Sequence, residues 1–257
     1  MNIGIIGKGF VGTAVLASYD NKAKFYDPYK AGSVESIDCL IDCEAIYICV
    51  PTPQRVSGAC DTSIVEQSLD SLVMLGYKGV VIAKSTAPFE TYEKYASVLN
   101  LAFIPEFLRA ATATEDYLKT SFMIIGCQNK STFKLAYDAI EESCLKIDTY
   151  EHVTIRESCL IKYFENSYLA AKVSLFNEFY QLTEKVGCNW DNVVNGLTLD
   201  KRIEKDHTQV PGPDGQFGWG GHCFPKDTAA LVDIGDKYGV NLLTLEAARK
   251  SNSKIRK

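Results

Sequence analysis

The residues best suited to covalent chemistry lie in Gly218-Trp219-Gly220-Gly221-His222-Cys223-Phe224-Pro225-Lys226-Asp227. Proline favours the first turn of a helix. Cys223 is therefore expected at a helix N-terminus, with Lys226 close by. Both features lower a thiol's pKa and favour the nucleophilic thiolate. Asp227 follows Cys223 by one helical turn and shares its face. A second pair at that spacing, Lys162 and Asn166, sits in a long helical pattern. A buried ammonium and an amide can polarise a substrate oxygen and stabilise an oxyanion developing there. Glu106 follows Pro105 at the end of an expected strand and could hold or activate water together with Thr86.

A different chemistry is written into Gly7-Lys8-Gly9-Phe10-Val11-Gly12. This G-x-G-x-x-G follows an expected strand and opens an expected helix, and Asp27 stands 20 residues after Gly7. Gly7, Gly9 and Gly12 permit a tight turn and close approach of backbone to a pyrophosphate, with the helix N-terminus supplying N–H donors. Asp27 would accept hydrogen bonds from the adenosine ribose. No arginine follows it directly, which favours NAD over NADP.

The elements that must position these groups follow from hydrophobic patterning. Strands are expected at residues 2–6, 23–26, 45–50, 79–84, 101–104 and 122–126, and helices around 11–18, 64–75, 92–99 and 131–143. Strands alternating with helices imply a Rossmann-type, doubly wound parallel sheet, with ligands at the carboxyl ends of its strands. Residues 1–150 are assigned to this dinucleotide domain and 151–257 to an α-helical domain. Residues 154–186 contain no proline or glycine and would form a helix of about 50 Å, long enough to link domains or pair with a second chain. Residues 201–223 read as a long loop, and helices are expected around 189–196, 225–237 and 241–255.

Composition narrows the function classes. The formal net charge is −5, which argues against a nucleic-acid partner. No apolar run approaches the about 18 residues of a membrane span. The nine cysteines are scattered, without C-x-x-C, and fit reduced thiols in the cytoplasm. His152, His207 and His222 lack metal-ligand spacing, so no metal site is expected.

The Gly218–Asp227 segment closely resembles the active-site segment of the UDP-glucose/GDP-mannose dehydrogenase family. Further resemblances fall in that family's order: Val50-Pro51-Thr52-Pro53, Lys84-Ser85-Thr86, Pro105-Glu106-Phe107-Leu108-Arg109, Lys162-x-x-x-Asn166 with Leu169-Ala170-x-Lys172-Val173 and Asn177-Glu178, and Asp200-x-Arg202-Ile203. The resemblance implies NAD-dependent oxidation of a nucleotide-sugar C6 alcohol to the uronate, with UDP-glucose the expected substrate. It implies two hydride transfers through a thiohemiacetal and thioester on Cys223. Catalytic roles would fall to Cys223, Lys162, Asn166, Asp227, Glu106 and Thr86. The cofactor would contact Gly7, Gly9, Phe10, Val11, Gly12, Asp27, Pro51, Thr52, Thr86 and Lys226. The substrate would contact Glu106, Phe107, Leu108, Arg109, Lys162, Asn166, Arg202 and Gly220. A homodimer through the long helix is implied, with the Arg202 loop shared between subunits.

Typical members continue into a third, nucleotide-gripping domain; the resemblance here is to a short form without it, with a compact natural variant, a split enzyme and a truncated product all open. Ala110 replaces an acidic residue often found in the glutamate segment, leaving water activation to Glu106. Basic residues at 201, 202 and 205 could meet a pyrophosphate. Those at 249, 250, 254, 256 and 257 read as a solvated helix end. Two alternatives stay open. A two-electron β-hydroxyacid-type dehydrogenase would share the Lys-x-x-x-Asn pair without needing Cys223. A non-catalytic nucleotide-binding or assembly module would keep the fold alone.

Overall fold

The computed structural model describes residues 1–256. The chain divides into two compact units, one of Met1–Arg55 with Cys60–Lys162, the other of Val56–Ala59 with the residues from Tyr163 onward.

In the first unit, short apolar runs become buried strands: β1 (Ile3–Ile6), β2 (Lys24–Tyr26), β3 (Ala45–Ile48), β4 (Val80–Ala83), β5 (Asn100–Phe103), β6 (Phe122–Cys127) and β7 (Thr149–Val153). The intervening helices are α1 (Phe10–Ser18), α2 (Ser63–Met74), α3 (Phe89–Tyr95), α4 (Ala113–Leu118) and α5 (Lys130–Glu141). The sheet order is β2-β1-β3-β4-β5-β6-β7. Sequences such as IGII, AIYI and VVIA are buried throughout, as strands covered on both faces must be. Ile5, Ala14, Val15, Tyr47, Ile82, Ile125 and Ala139 belong to one continuous core.

The expected Rossmann-type, doubly wound sheet is present, with two corrections. β6 runs antiparallel to β5, pairing Ala102 with Cys127 and Phe103 with Gly126. An antiparallel strand starts at the edge where its predecessor ends, so residues 104–121 need no crossover. They stay at the carboxyl edge of β5, with Glu106 among them. β7 was not expected, because Thr-Tyr-Glu-His-Val forms a half-exposed edge strand without an apolar run. The six-residue α4 was also too short to show a period.

A 31-residue helix, α6 (Ile155–Lys185), carries the chain from the first unit into the second. Its start is a capping box: Thr154 N–H donates to Glu157 Oε2 at 2.7 Å and Glu157 N–H to Thr154 Oγ1 at 3.2 Å. The second unit adds α7 (Trp190–Leu197), α8 (Cys223–Lys237) and α9 (Leu243–Ile255). Phe176, Trp190, Val194 and Val210 form its small core, with Tyr180 and Ile203 against them. The long loop before α8 is as expected, but α8 begins at Cys223, which puts Pro225 at its third position. No helix among the described residues is long and apolar enough to cross a membrane.

Candidate functional site

In the first unit, strand order reverses around β1, which lies between β2 and β3. Such a switch point opens a crevice at the carboxyl edge, and the glycine motif occupies it. Gly7 has φ +90°, and a Cβ there would meet the Cys49 carbonyl oxygen at 2.7 Å. A Cβ on Gly12 would lie 2.0 Å from the Gly7 oxygen. Neither position admits a side chain. Gly9 is the N-cap of α1, whose first turn holds no acidic residue and no side-chain cap. Phe10 is exposed and Val11 half-buried. Asp27, just past β2, accepts from the Lys8 N–H at 2.8 Å and the Tyr29 N–H at 3.0 Å. It thus ties the glycine loop to the second strand. Lys8, Gly9, Phe10, Thr13, Lys30 and residues 110–115 line a cleft of about 560 Å³.

The ends of β3, β4 and β5 gather a second group. Thr52 is buried, and its hydroxyl donates to the Thr86 carbonyl at 2.8 Å, while Pro51 is exposed. Ser85 donates to the Val50 carbonyl at 2.7 Å. Lys84 is only 2% exposed, donates to the Pro105 carbonyl at 3.2 Å and lies 5.3 Å from the Tyr117 ring centroid. Burial lowers its pKa to about 8, against the opposing pull of Glu106 and Cys49. Glu106 is half-buried and accepts from the Leu108 N–H at 3.0 Å. The Lys162 ammonium, on α6, lies 4.9 Å from the Phe107 ring centroid. Arg109 is exposed and gripped by Asp116 through Nε at 3.0 Å and Nη2 at 2.6 Å. Those bonds hold the Asp116 carboxyl well below the usual carboxylate range. The structure therefore groups Thr52 with Thr86, and Glu106 and Phe107 with Lys84 and Lys162. It engages Arg109 elsewhere.

In the second unit, buried Asn166 donates from Nδ2 to Asp227 Oδ2 at 2.5 Å. The other Asp227 oxygen is ion-paired with Lys226. An amide and an ammonium thus compensate a carboxylate that is 1% exposed. Cys223 opens α8 and is exposed. The glycine-rich segment before it is anchored from two helices. Gly218 N–H donates to Asn177 Oδ1 at 2.9 Å. Trp219 N–H donates to Asn252 Oδ1 at 2.7 Å, Asn252 Nδ2 returns a bond to the Trp219 carbonyl at 2.9 Å, and the indole donates to Ser174 Oγ at 2.8 Å. The Arg256 guanidinium fills the space beside Gly220, where a Cβ would lie 2.6 Å from Nη2, and pairs with Asp214 at 2.6 Å. The expectation of a solvated tail thus fails at half-buried Arg256; Lys254 is exposed, and Lys257 lies outside the described residues. Arg202 is exposed and paired with Asp200 at 2.5 Å.

Lys84, Ser174, Asn177 and Asn252 were not singled out as site residues from sequence. Lys84 and Asn177 stood inside motifs already noted, whereas nothing local marked Asn252. Of the nine cysteines, Cys39, Cys144, Cys188 and Cys223 are exposed, Cys60 is intermediate, and Cys43, Cys49, Cys127 and Cys159 are buried.

Comparison with known proteins bears on both units. Residues 33–142 match the model of the UDP-glucose/GDP-mannose dehydrogenase family, NAD binding domain, and residues 156–254 that of the same family's central domain. The chain is 34% identical over 224 residues to a UDP-glucose 6-dehydrogenase of Rickettsia felis, covering 83% of this chain and 48% of the relative. It is 32% identical over 250 residues to a UDP-glucose 6-dehydrogenase of Rickettsia typhi, covering 93% and 56%. The chain spans about half the length of these curated relatives. Its fold matches a UDP-glucose dehydrogenase structure from Pyrobaculum islandicum with a TM-score of 0.84 at 24% identity, over 98% of this chain and 68% of that one.

Proposed function

Because the chain belongs to the UDP-glucose/GDP-mannose dehydrogenase family, we propose that it carries out NAD-dependent oxidation of a nucleotide-sugar C6 alcohol to the uronate, with UDP-glucose as substrate. The observation that carries this reading is Cys223 as the exposed first residue of α8, one turn before a buried Asp227 held by Asn166. A simple alcohol dehydrogenase has no use for such a cysteine.

The glycine cradle fits a dinucleotide, since side chains at Gly7 or Gly12 would collide with backbone. Gly7, Gly9, Phe10, Val11 and Gly12 would hold the pyrophosphate and Asp27 the ribose, with Pro51, Thr52, Thr86 and Lys226 as further contacts. Bound NAD supplies the hydride acceptor. Lys162 and Asn166 stabilise the negative charge that builds on the C6 oxygen. Cys223 Sγ then adds to the aldehyde carbon while the thiol proton goes to the aldehyde oxygen, giving a thiohemiacetal. After the second oxidation Cys223 carries a thioester. Water held by Glu106, Thr86 and Asp227 attacks its carbonyl carbon, the C–S bond breaks, and the proton returns to Sγ as the uronate leaves. Phe107, Leu108, Arg109, Arg202 and Gly220 would contact the substrate. Arg202 must first exchange its exposed Asp200 partner, which such a pair does at little cost, and Arg109 must leave the half-buried Asp116. We place the enzyme in the cytoplasm, where Cys223 stays reduced.

We also propose that a second copy covers α6 and that the Arg202 loop is shared between subunits. Phe164, Tyr168, Leu175, Phe179 and Leu182 are exposed on this helix at intervals of three, four or seven residues. That spacing makes one apolar stripe, which water alone covers poorly.

The test is product stoichiometry with UDP-glucose and NAD. Two NADH per substrate and a uronate product are expected. One NADH with an aldehyde or ketone as sole product supports the β-hydroxyacid-type alternative. Nucleotide binding with no NADH supports a non-catalytic module. Cys223→Ala should abolish uronate formation while leaving NAD affinity within about twofold, because the dinucleotide cradle is built from other residues. Wild-type turnover by that variant refutes the nucleophile.

A further inference from the structure

The first unit buries two ammonium groups, Lys84 and Lys162, against the segment that carries Glu106. Lys84 and Lys162 are 2% and 4% exposed. Lys84 donates to the Pro105 carbonyl at 3.2 Å, and Lys162 lies over the Phe107 ring. The two lysines therefore grip the residues on either side of Glu106, whose own carboxylate is tied back to the Leu108 N–H. Among the described residues, Cys49, Tyr117, Glu106 and Lys162 face Lys84. The Cys49 thiol, after β3, is pushed up to about 12 by burial, and the Tyr117 phenol, on α4, is pushed far up for the same reason. Both are neutral through the assay range. Glu106 and Lys162 supply the remaining charge. An ammonium this deep needs a reason, because burying a charge is costly unless it is paired.

We propose that Lys84 is a positioning residue for the reaction above: its ammonium clamps the 105–108 segment through the Pro105 carbonyl, fixing the Glu106 carboxylate for its work on water, and it does so only while protonated. The inference rests on the dehydrogenase reading. Without its proton, Lys84 loses the charge that attracts Glu106 and strengthens the bond to Pro105. The clamp loosens, and the Glu106 carboxylate loses its fixed position.

The fall in Lys84 pKa to about 8 brings this release into the assay range. The rate of thioester hydrolysis, read in single turnover as uronate release, should fall about tenfold per pH unit above that point. Lys84→Arg keeps its charge up to about pH 12, so it should retain activity and lose the alkaline fall. Lys84→Met should lower kcat by about 10- to 100-fold below pH 8, by misplacement of a catalytic group, and converge with wild type above it, where Lys84 has lost its proton. Its KM for NAD should move less than about twofold. A merely structural lysine would change stability and leave the shape of the pH profile alone. If the methionine variant does not fold, the arginine variant and a direct titration decide. In wild-type protein labelled with ¹³C-lysine, one side-chain resonance should titrate near pH 8, and Lys84→Arg should remove it.

Absence of NADH formation from UDP-glucose overturns the functional reading. If NADH forms but Lys84→Arg keeps the wild-type alkaline fall, or no lysine resonance titrates near pH 8, the functional reading stands and the role of Lys84 is overturned.

Discussion

Replacing Asn252 by alanine removes both hydrogen bonds that hold the main chain of Trp219. Oδ1 accepts from its N–H at 2.7 Å and Nδ2 donates to its carbonyl at 2.9 Å. Asn252 is 8% exposed and Trp219 is 7% exposed, so water does not readily replace either bond. A buried backbone group left without a partner costs about 1–3 kcal/mol. Two such groups, partly relieved by local relaxation, give a loss of about 2–4 kcal/mol. At about 2–4 °C per kcal/mol for a chain of this size, the melting temperature should fall by roughly 5–15 °C. Asn241→Ala is the control, because Asn241 is exposed and such surface changes stay within about 0.5 kcal/mol. Differential scanning fluorimetry of the two variants beside wild type makes the comparison. The slackened glycine segment should also depress uronate formation in whatever Asn252→Ala protein remains folded, with NAD affinity unchanged. A melting temperature within about 1 °C of wild type would show that water or a neighbour satisfies Trp219, and the anchoring argument would fall.

Two further outcomes are expected. Asp27 places a carboxylate at the ribose end of the glycine loop, so kcat/KM for NAD should exceed that for NADP by at least about tenfold; equal values would remove Asp27 from the ribose. Leu182→Arg combined with Tyr168→Arg puts charge into the exposed stripe of α6 and should shift the protein from dimer to monomer in sedimentation velocity. A monomeric wild type at assay concentration with full activity would refute the shared site.

Much of the first unit was legible because its strands are uninterrupted apolar runs and its glycines have steric necessity. Gly7 and Gly12 could be read from spacing alone, and a Cβ at either would strike backbone. The direction of β6 was not legible. Apolar patterning gives a strand its faces but not its sense, and the choice came from a connector that stays at one edge of the sheet. β7 escaped because a half-exposed edge strand needs no apolar run. In the second unit the exposed Cys223 at the head of α8 follows from its neighbours in sequence. The Asn166 partner of Asp227 does not, since it reaches the carboxylate across 61 residues. Asn252 was invisible for a related reason: it is one polar residue in a charged helix, and its importance comes from a loop 33 residues away. Arg256 was misread because a cation near a helix end is ordinarily solvated. Lys84 was visible as part of a motif, but its burial depends on which strands lie beside β4.

The distribution of thiols has a practical consequence for labelling. Burial raises the pKa of Cys43, Cys49, Cys127 and Cys159, so they are poor nucleophiles toward alkylating reagents as well as inaccessible ones. A maleimide probe meets Cys39, Cys144, Cys188 and Cys223 first. Three serine substitutions, at Cys39, Cys144 and Cys188, would therefore leave Cys223 as the principal reactive thiol without disturbing a buried position. A fluorophore or spin label attached there would sit at the head of α8 and report ligand arrival directly. The same background would let a covalent fragment screen read engagement of Cys223 as a single mass shift on the intact chain.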